Sequence, residues 1–202
     1  MFDALIIGGG AAGLSCALVL GSAEGRPYTE NKKTGIFTNQ KSSHLQSALL
    51  NNALGIAPGT LGATILSEGK KQLSQLYPHI DQLDNEKVKA IEPFNGGHKV
   101  ITNKNSYESK IVVVAVGYTN LISIKGLEPY IEPHPKDNIE KERIWLKNRD
   151  HLVTEGLYVA GTLAGWRSQF AIAAGSGAQV ATDILTLWNN GKHTKVHDKA
   201  KS

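Results

Sequence analysis

The sequence predicts an α/β domain: a central parallel sheet with helices and a small antiparallel β-meander. Three observations carry this. An apolar strand, Asp3 to Ile7, runs straight into a glycine-rich turn and then an Ala- and Leu-rich helix, Leu14 to Leu20. An uninterrupted apolar run, Ile111 to Val116, has the composition of a parallel strand covered on both faces. A further strand, Gly156 to Thr162, leads to a small-residue helix, Gln169 to Leu187, repeating the strand-then-helix order of a parallel sheet.

At 202 residues the chain is expected to form one domain, residues 1–188, with a basic tail at 189–202. It is too short for two complete nucleotide domains. With 41% hydrophobic and 20% charged residues the composition is globular, and no apolar run approaches the roughly 20 residues of a membrane helix. Met1 stands almost directly on the first strand, which leaves no room for a cleavable leader, so a cytoplasmic location is expected and no membrane partner. Part of the net charge of +4 lies in Lys192, Lys195, Lys199 and Lys201, opposed only by Asp198. That pattern reads as a solvated, frayed terminus. No basic and aromatic surface motif accompanies it, so nucleic acid is not an expected partner. Cys16 is the only cysteine, which rules out an intramolecular disulfide, a Cys-x-x-Cys redox pair and a cysteine-cluster metal site in this chain.

The first turn reads Gly8-x-Gly10-x-x-Gly13. Gly8 permits a tight strand-to-helix turn, Gly10 lets the backbone approach a pyrophosphate, and Gly13 lets helix and strand pack closely. The helix N-terminus adds free N–H groups and the positive end of its dipole. A glycine triplet alone says little, but the flanking strand and helix give it the context of a dinucleotide site.

After a polar loop from Gly21 to Lys33, broken by Gly25 and Pro27, the pattern predicts a short strand, Thr34 to Thr38, ending at Asn39 and Gln40. Those amides stand where a nucleotide-binding domain places the acidic residue that takes the ribose hydroxyls. Ser42 to Asn52 reads as a short helix, Gly55 to Gly59 as an irregular turn, and Thr60 to Tyr77 as a long amphipathic helix. From Glu86 the period becomes two. Val88 to Ile91, the Asn95-Gly96-Gly97 turn and Lys99 to Thr102 predict a hairpin, with a third piece around Tyr107. Residues 118–150, with Pro129, Pro133 and Pro135, are read as loop plus one short strand near Arg143 to Leu146.

Four separated segments together resemble the pyridine-nucleotide flavoprotein reductases, and among them the FAD half of the thioredoxin reductases. Residues 3–13 resemble the FAD glycine motif, and Asn52 to Gly62 the loop and helix start that passes along the cofactor. Val112 to Gly117 is similar to the Ala-Thr-Gly strand, with Val116 in the threonine position, and Gly156 to Gly177 to the closing Ala-Gly-Asp strand and its helix, with Thr162 in place of Asp. The resemblance implies a Rossmann-like FAD-binding domain and FAD as cofactor. It implies contacts at Gly8, Gly10, Ala11, Ala12 and Gly13, at Asn39, Gln40 and Asn52, and at Lys87 and Val88. Further along it implies Ala115, Val116 and Gly117, then Gly161 and Thr162, then Gln169, Phe170 and Ala171 at the start of the last helix. No metal is implied.

Two departures shape the expected function. In the family the NADPH domain is a large insertion between the Ala-Thr-Gly and Ala-Gly-Asp strands, whereas here Gly117 and Gly161 are 44 positions apart (161 minus 117), leaving 118–150 as a short connection. The redox cysteine pair of that insertion is also missing. The expectation is a single-domain FAD flavoprotein, an oxidoreductase or electron-transfer protein that takes electrons from an external donor: a reductase, free reduced flavin or NAD(P)H. The missing cover suggests a homodimer or partner subunit. A non-catalytic FAD module and, less favoured, an NAD(P)-binding reductase are the alternatives. Above the flavin, His44, His134, His151 and Trp145 have equally plain readings as surface or core-edge residues. The Trp166-Arg167-Ser168 segment, directly before the last helix, is the candidate flavin-facing pocket; catalytic residues are not assigned.

Overall fold

The computed structural model describes residues 1–38, 43–119 and 123–197. Phe2–Ile7 (β1) is buried at every position, as its apolar run requires, and Gly8 turns it into Ala11–Gly21 (α1). Thr34–Phe37 (β2) follows the polar loop. The expected helix at 42–52 does not form: His44–Ser47 is a single 3-10 turn, and the chain continues into Leu49–Leu50 (β3), which pairs antiparallel with Thr60–Leu61 (β4). Tertiary pairing overrides the local pattern here. The N–H groups of Gly59 and Gly62 take up the carbonyls of Leu50 and Ala48, which a helix would have used internally.

Gly62–Leu76 (α2) is the expected amphipathic helix, followed by a strand the sequence did not announce, Asp81–Leu83 (β5). Val88–Phe94 (β6) and Gly97–Thr102 (β7) form the hairpin. The piece around Tyr107 and the apolar run are one strand, Ser106–Val114 (β8). Its first half pairs with β7 and its second half with β1. The connection holds two short strands rather than one, Ile131–Pro133 (β9) and Ile144–Leu146 (β10), paired antiparallel. Leu152–Thr154 (β11), Leu157–Val159 (β12) and Phe170–Trp188 (α3) complete the chain.

The main sheet runs β11-β12-β8-β1-β2-β5, with β7 and β6 continuing from the first half of β8. Every pairing among β12, β8, β1, β2 and β5 is parallel, and the order places β2 and β8 on opposite sides of β1. The predicted class is therefore observed. Period-two alternation divides the sheet residues between two cores: Ala4, Ile6, Ile111 and Val113 face α1, α2 and α3, while Leu5, Ile7, Val112 and Val114 face the meander and the connection.

At 19 residues α3 is, by length and composition, the one described helix long and apolar enough to cross a membrane, against the expectation of no such run. In this fold its Val180, Ala181, Ile184 and Leu185 are buried in the helix-side core, as in a core helix. Gly177 lies so close to α1 that an added Cβ would stand 1.9 Å from the Ala12 carbonyl oxygen. After α3, residues 191–197 carry no regular element, yet Thr194 is buried and Val196 packs on the same core.

Behind β12, His151 is buried and joins three elements. The Trp166 Nε1–H donates to His151 Nε2 at 3.1 Å, so this nitrogen is an acceptor and the ring proton sits on Nδ1. The Ser176 hydroxyl lies 2.9 Å from the same nitrogen, and Ser176 Oγ accepts the Gly161 N–H at 2.8 Å. Burial, the largest influence, holds the imidazole below the usual histidine range, against the opposing pull of Asp150.

Three outcomes follow, all read by urea denaturation. Gly177→Ala should cost about 1–3 kcal/mol, because backbone must move to admit the methyl group. Gly175→Ala, which meets nothing within 4 Å, should be stabilising by about 0.5–1 kcal/mol from helix propensity alone. Because the folded His151 prefers to be neutral while the unfolded chain titrates near pH 6.5, stability is full above that pH and declines as the pH falls through it. Between about pH 7.5 and pH 5.5, His151→Gln should therefore show a flatter stability profile than the wild type.

Candidate functional site

At the carboxyl edge of the parallel strands, where the strand order reverses between β1 and β8, a cleft of about 380 Å³ opens. Open α/β sheets bind their ligands at this place, because the two crossovers leave in opposite directions and part the loops. Its floor is made of strand ends: Gly8 to Gly10 after β1, Ala115 to Gly117 after β8, and Ala160 to Thr162 after β12. The walls are Ser43 to Leu45 and Ala48 to Leu50 with Asn52 on one side, and Tyr118 with Ser168 to Phe170 and Ala173 on the other.

The glycines at this edge serve two different purposes. Gly8 has φ +114°, which side chains rarely adopt, and a Cβ there would sit 2.5 Å from the Ala115 carbonyl oxygen. A Cβ on Gly13 would stand 1.7 Å from the Gly8 carbonyl oxygen. Both are glycine because the protein packs against itself. Gly10 has ordinary φ and ψ (−75°, −171°), and its nearest obstacle would be Ser43 Oγ at 3.7 Å. Gly117 is as open, with only His44 Cδ2, at 4.0 Å, near it among the described residues. Among the described residues neither internal packing nor backbone strain accounts for these two. The space a Cβ would fill lies in the cleft, as a backbone cradle for a closely approaching ligand requires.

Two helix N-termini point into the same cleft. Gly10 is the N-cap of α1 and Gln169 that of α3, and neither helix has a side-chain cap or an acidic residue in its first turn. Their first N–H groups are left for a ligand, and the dipoles favour negative charge. No lysine, arginine, aspartate or glutamate lines the cleft among the described residues. An anion bound here is held by backbone N–H groups and dipoles rather than by side-chain charge.

The short connection supplies the wall opposite α1. Tyr118 is buried at the cleft, edge-on to His134 and close to His44. Burial raises the Tyr118 phenol above its usual range, helped by a hydrogen bond to the Asp137 carboxylate, while Arg143 and Ser168 oppose the shift. The Arg143 guanidinium lies over the Tyr118 ring at 5.0 Å. His134 Nδ1 accepts the Lys136 N–H at 3.2 Å, which leaves Nε2–H to donate to the Thr162 carbonyl at 3.0 Å. That bond ties the connection to the end of β12.

Gly8, Gly10, Ala11, Ala12, Asn52, Ala115, Val116, Gly117, Gly161, Thr162, Gln169 and Phe170 line one cleft. Gly13 lies beneath it in the packing of α1. Ala171 is exposed and does not line the cleft, and Ala173 lines it one turn on from the N-cap. Lys87 and Val88 sit in the meander: the Lys87 N–H donates to Asn103 Oδ1, and Val88 belongs to the meander-side core. Asn39 and Gln40 lie outside the described residues. Of the Trp166-Arg167-Ser168 segment only Ser168 reaches the cleft. Trp166 is bound behind it to His151 and carries Lys136 Nζ 4.3 Å from its ring centroid, and Arg167 Nη1 reaches the Lys136 carbonyl at 3.5 Å. Trp145 packs against Gly165, and among the histidines only His44 lines the cleft. Sequence reasoning missed Ser43, Leu45, Ala48 to Leu50, Tyr118 and Ala173. Tyr118 could have been found as the residue directly after Gly117; the 43–50 segment could not, because it was read as a helix.

Comparison with known proteins agrees with this architecture. The family "Pyridine nucleotide-disulphide oxidoreductase" matches residues 2–168. No curated relative matches the sequence. Among solved structures, a thioredoxin reductase from Gloeobacter violaceus is similar over 99% of each chain, with a TM-score of 0.74 at 15% identity. A ferredoxin-flavin thioredoxin reductase from Clostridium acetobutylicum covers 94% of this chain and 98% of its own, with a TM-score of 0.68 at 18% identity. An atypical thioredoxin reductase from Desulfovibrio vulgaris Hildenborough covers 95% and 99%, with a TM-score of 0.70 at 14% identity. At such identities the likeness is one of fold, while the family match spans most of the sequence. The chain thus belongs to the pyridine nucleotide-disulphide oxidoreductases, a family of flavoprotein oxidoreductases.

Proposed function

We propose that this chain is a single-domain flavoprotein that binds FAD in the cleft and exchanges electrons with an external donor and acceptor. The carrying observation is the pair Gly10 and Gly117, whose missing side chains leave space that no packing requirement of the protein explains. FAD suits the site: the α1 N-terminus is placed for the pyrophosphate, Gly117, Gly161 and Thr162 for the ribityl chain, and the α3 N-terminus for the pyrimidine edge. When bound, the flavin supplies the redox chemistry, and the chain's residues bind, orient and shield it. Val116, Gln169 and Phe170 complete the contact set along this path; Ala171 contributes through its backbone N–H.

The electron donor in this reading is external. Gly117 and Gly161 are joined by a short connection that packs on the meander-side core through Ile124, Leu127 and Leu146, with no second nucleotide domain between them. The Clostridium acetobutylicum protein is, by its name, a ferredoxin-flavin reductase, which supports a protein carrier as donor for this fold; a reductase, free reduced flavin and NAD(P)H serve the same role. Disulfide reduction by a cysteine pair is not part of the proposal, since Cys16 is the chain's one cysteine and is buried. Burial pushes its thiol far above the usual range. A second copy or another subunit over the open side of the cleft, and a cytoplasmic setting among reduced carriers, belong to the same reading.

The purified protein should be yellow, show flavin absorption bands, release FAD on denaturation, and bleach anaerobically with a reduced carrier or NAD(P)H. A colourless protein that takes up no added FAD overturns the proposal; one that holds FAD but passes no electrons is a binding module instead. Gly10→Ala places a methyl group in the cradle without touching the protein's own packing. It should weaken FAD binding by about 1–3 kcal/mol, roughly tenfold to a hundredfold in Kd, with the melting temperature of the flavin-free protein unchanged. Fluorescence titration and thermal denaturation check the two halves of this outcome.

A further inference from the structure

The carboxyl edge of the sheet continues beyond the glycine turn. Gly8, Thr38 and Asp84 stand abreast at the ends of β1, β2 and β5: the Gly8 N–H donates to the Phe37 carbonyl at 3.1 Å, and the Thr38 N–H to the Leu83 carbonyl at 3.3 Å. Neighbouring strands are about 4.8 Å apart, which sets the Asp84 backbone roughly 10 Å from Gly8. The side chain reaches back across that gap. Asp84 Oδ1 accepts a hydrogen bond from Thr38 Oγ1 and pairs with Lys70 Nζ at 2.8 Å, so the carboxylate lies over the end of β2. Oδ2 has no hydrogen-bond partner among the described residues, and half of the side chain is exposed.

A nucleotide-binding sheet of this order presents a carboxylate at the end of β2 to the ribose of the nucleotide whose phosphates lie on the glycine turn. The sequence has amides there, Asn39 and Gln40, and no acidic residue in β2. The carboxylate is present all the same, delivered from the adjacent strand and fixed by a hydroxyl on β2 and an ammonium on α2. Resting on the FAD reading, we infer that Asp84 accepts the hydrogen bonds of the adenosine ribose 2′- and 3′-hydroxyls, with Thr38 and Lys70 as its positioning residues. A free diol is the matching ligand. A 2′-phosphate would meet the Asp84 charge head-on, and Lys70, the cation beside it among the described residues, is already paired, so Asp84 itself disfavours a 2′-phosphorylated dinucleotide.

The test is a binding cycle on flavin-free protein, read by flavin fluorescence. Wild type and Asp84→Asn are each titrated with FAD and with the analogue whose adenosine ribose lacks both hydroxyls. Loss of a charge-assisted pair should raise the FAD Kd by about tenfold or more in Asp84→Asn. The analogue should bind the two proteins equally, within about twofold, since it has no hydroxyl to offer. An unchanged FAD Kd in Asp84→Asn overturns the assignment, and so does an equal loss for both ligands, which marks a structural role. A wild type that binds neither ligand overturns the FAD reading itself, a separate outcome.

Discussion

The architecture depends on the approach of α1 to its neighbours at backbone distance. A carbon on Gly13 would collide with the Gly8 carbonyl, one on Gly8 with the Ala115 carbonyl, and one on Gly177 with the Ala12 carbonyl. Three backbone contacts thus converge on the first turn of α1, from its own strand, from β8 and from α3. Close-packed interiors do not absorb an extra methyl group by small adjustments when the obstacle is main chain. The N-terminus of α1 is consequently fixed in position and direction by the main chain of three elements, and a fixed N-terminus is what an anion site requires.

With that constraint in place, the remaining glycines of the edge become informative. Among the described residues Gly10 and Gly117 have room and ordinary surroundings, which is the observation the proposed ligand site rests on. The absence of charged side chains along the cleft among the described residues points the same way. A diphosphate held here depends on N–H groups and two helix dipoles, interactions that are strong only when the donors are held in place beforehand. Rigidity beneath the turn and openness above it are therefore two halves of one arrangement.

Much of this was legible in the sequence, for physical reasons that vary by element. β1 and the second half of β8 were read correctly because strands buried on both faces need unbroken apolar runs, which few other structures produce. α2 announced itself by its one apolar face, and the hairpin by Asn95-Gly96-Gly97. β5 and β11, at three residues each, are too short for a period, and their partners β2 and β12 decide them. The 43–50 segment was misread because its leucines suit a helix locally, while the backbone of residues 59–62 offers better hydrogen-bond partners. The site was legible wherever it is made of glycine turns and helix starts. Tyr118 and Asp84 escaped notice because each acts through a neighbour distant in sequence, Asp137 in one case and Thr38 in the other.

Two carboxylates stand outside the lining of the cleft but close to it in the chain's bonding: Asp84 takes the hydroxyl of Thr38, the residue after β2, and Asp137 bonds Tyr118 of the cleft wall. The lining itself is neutral among the described residues, with positive helix ends directed inward. A ligand that fits such a profile is negatively charged in its middle and carries hydrogen-bond donors toward both ends. A dinucleotide has that order: a pyrophosphate flanked by a ribose diol on one side and a polyol chain on the other. A mononucleotide would place its charge at one end and leave the opposite end of the cleft unmatched. On the reading proposed above, this charge profile suits a two-part cofactor.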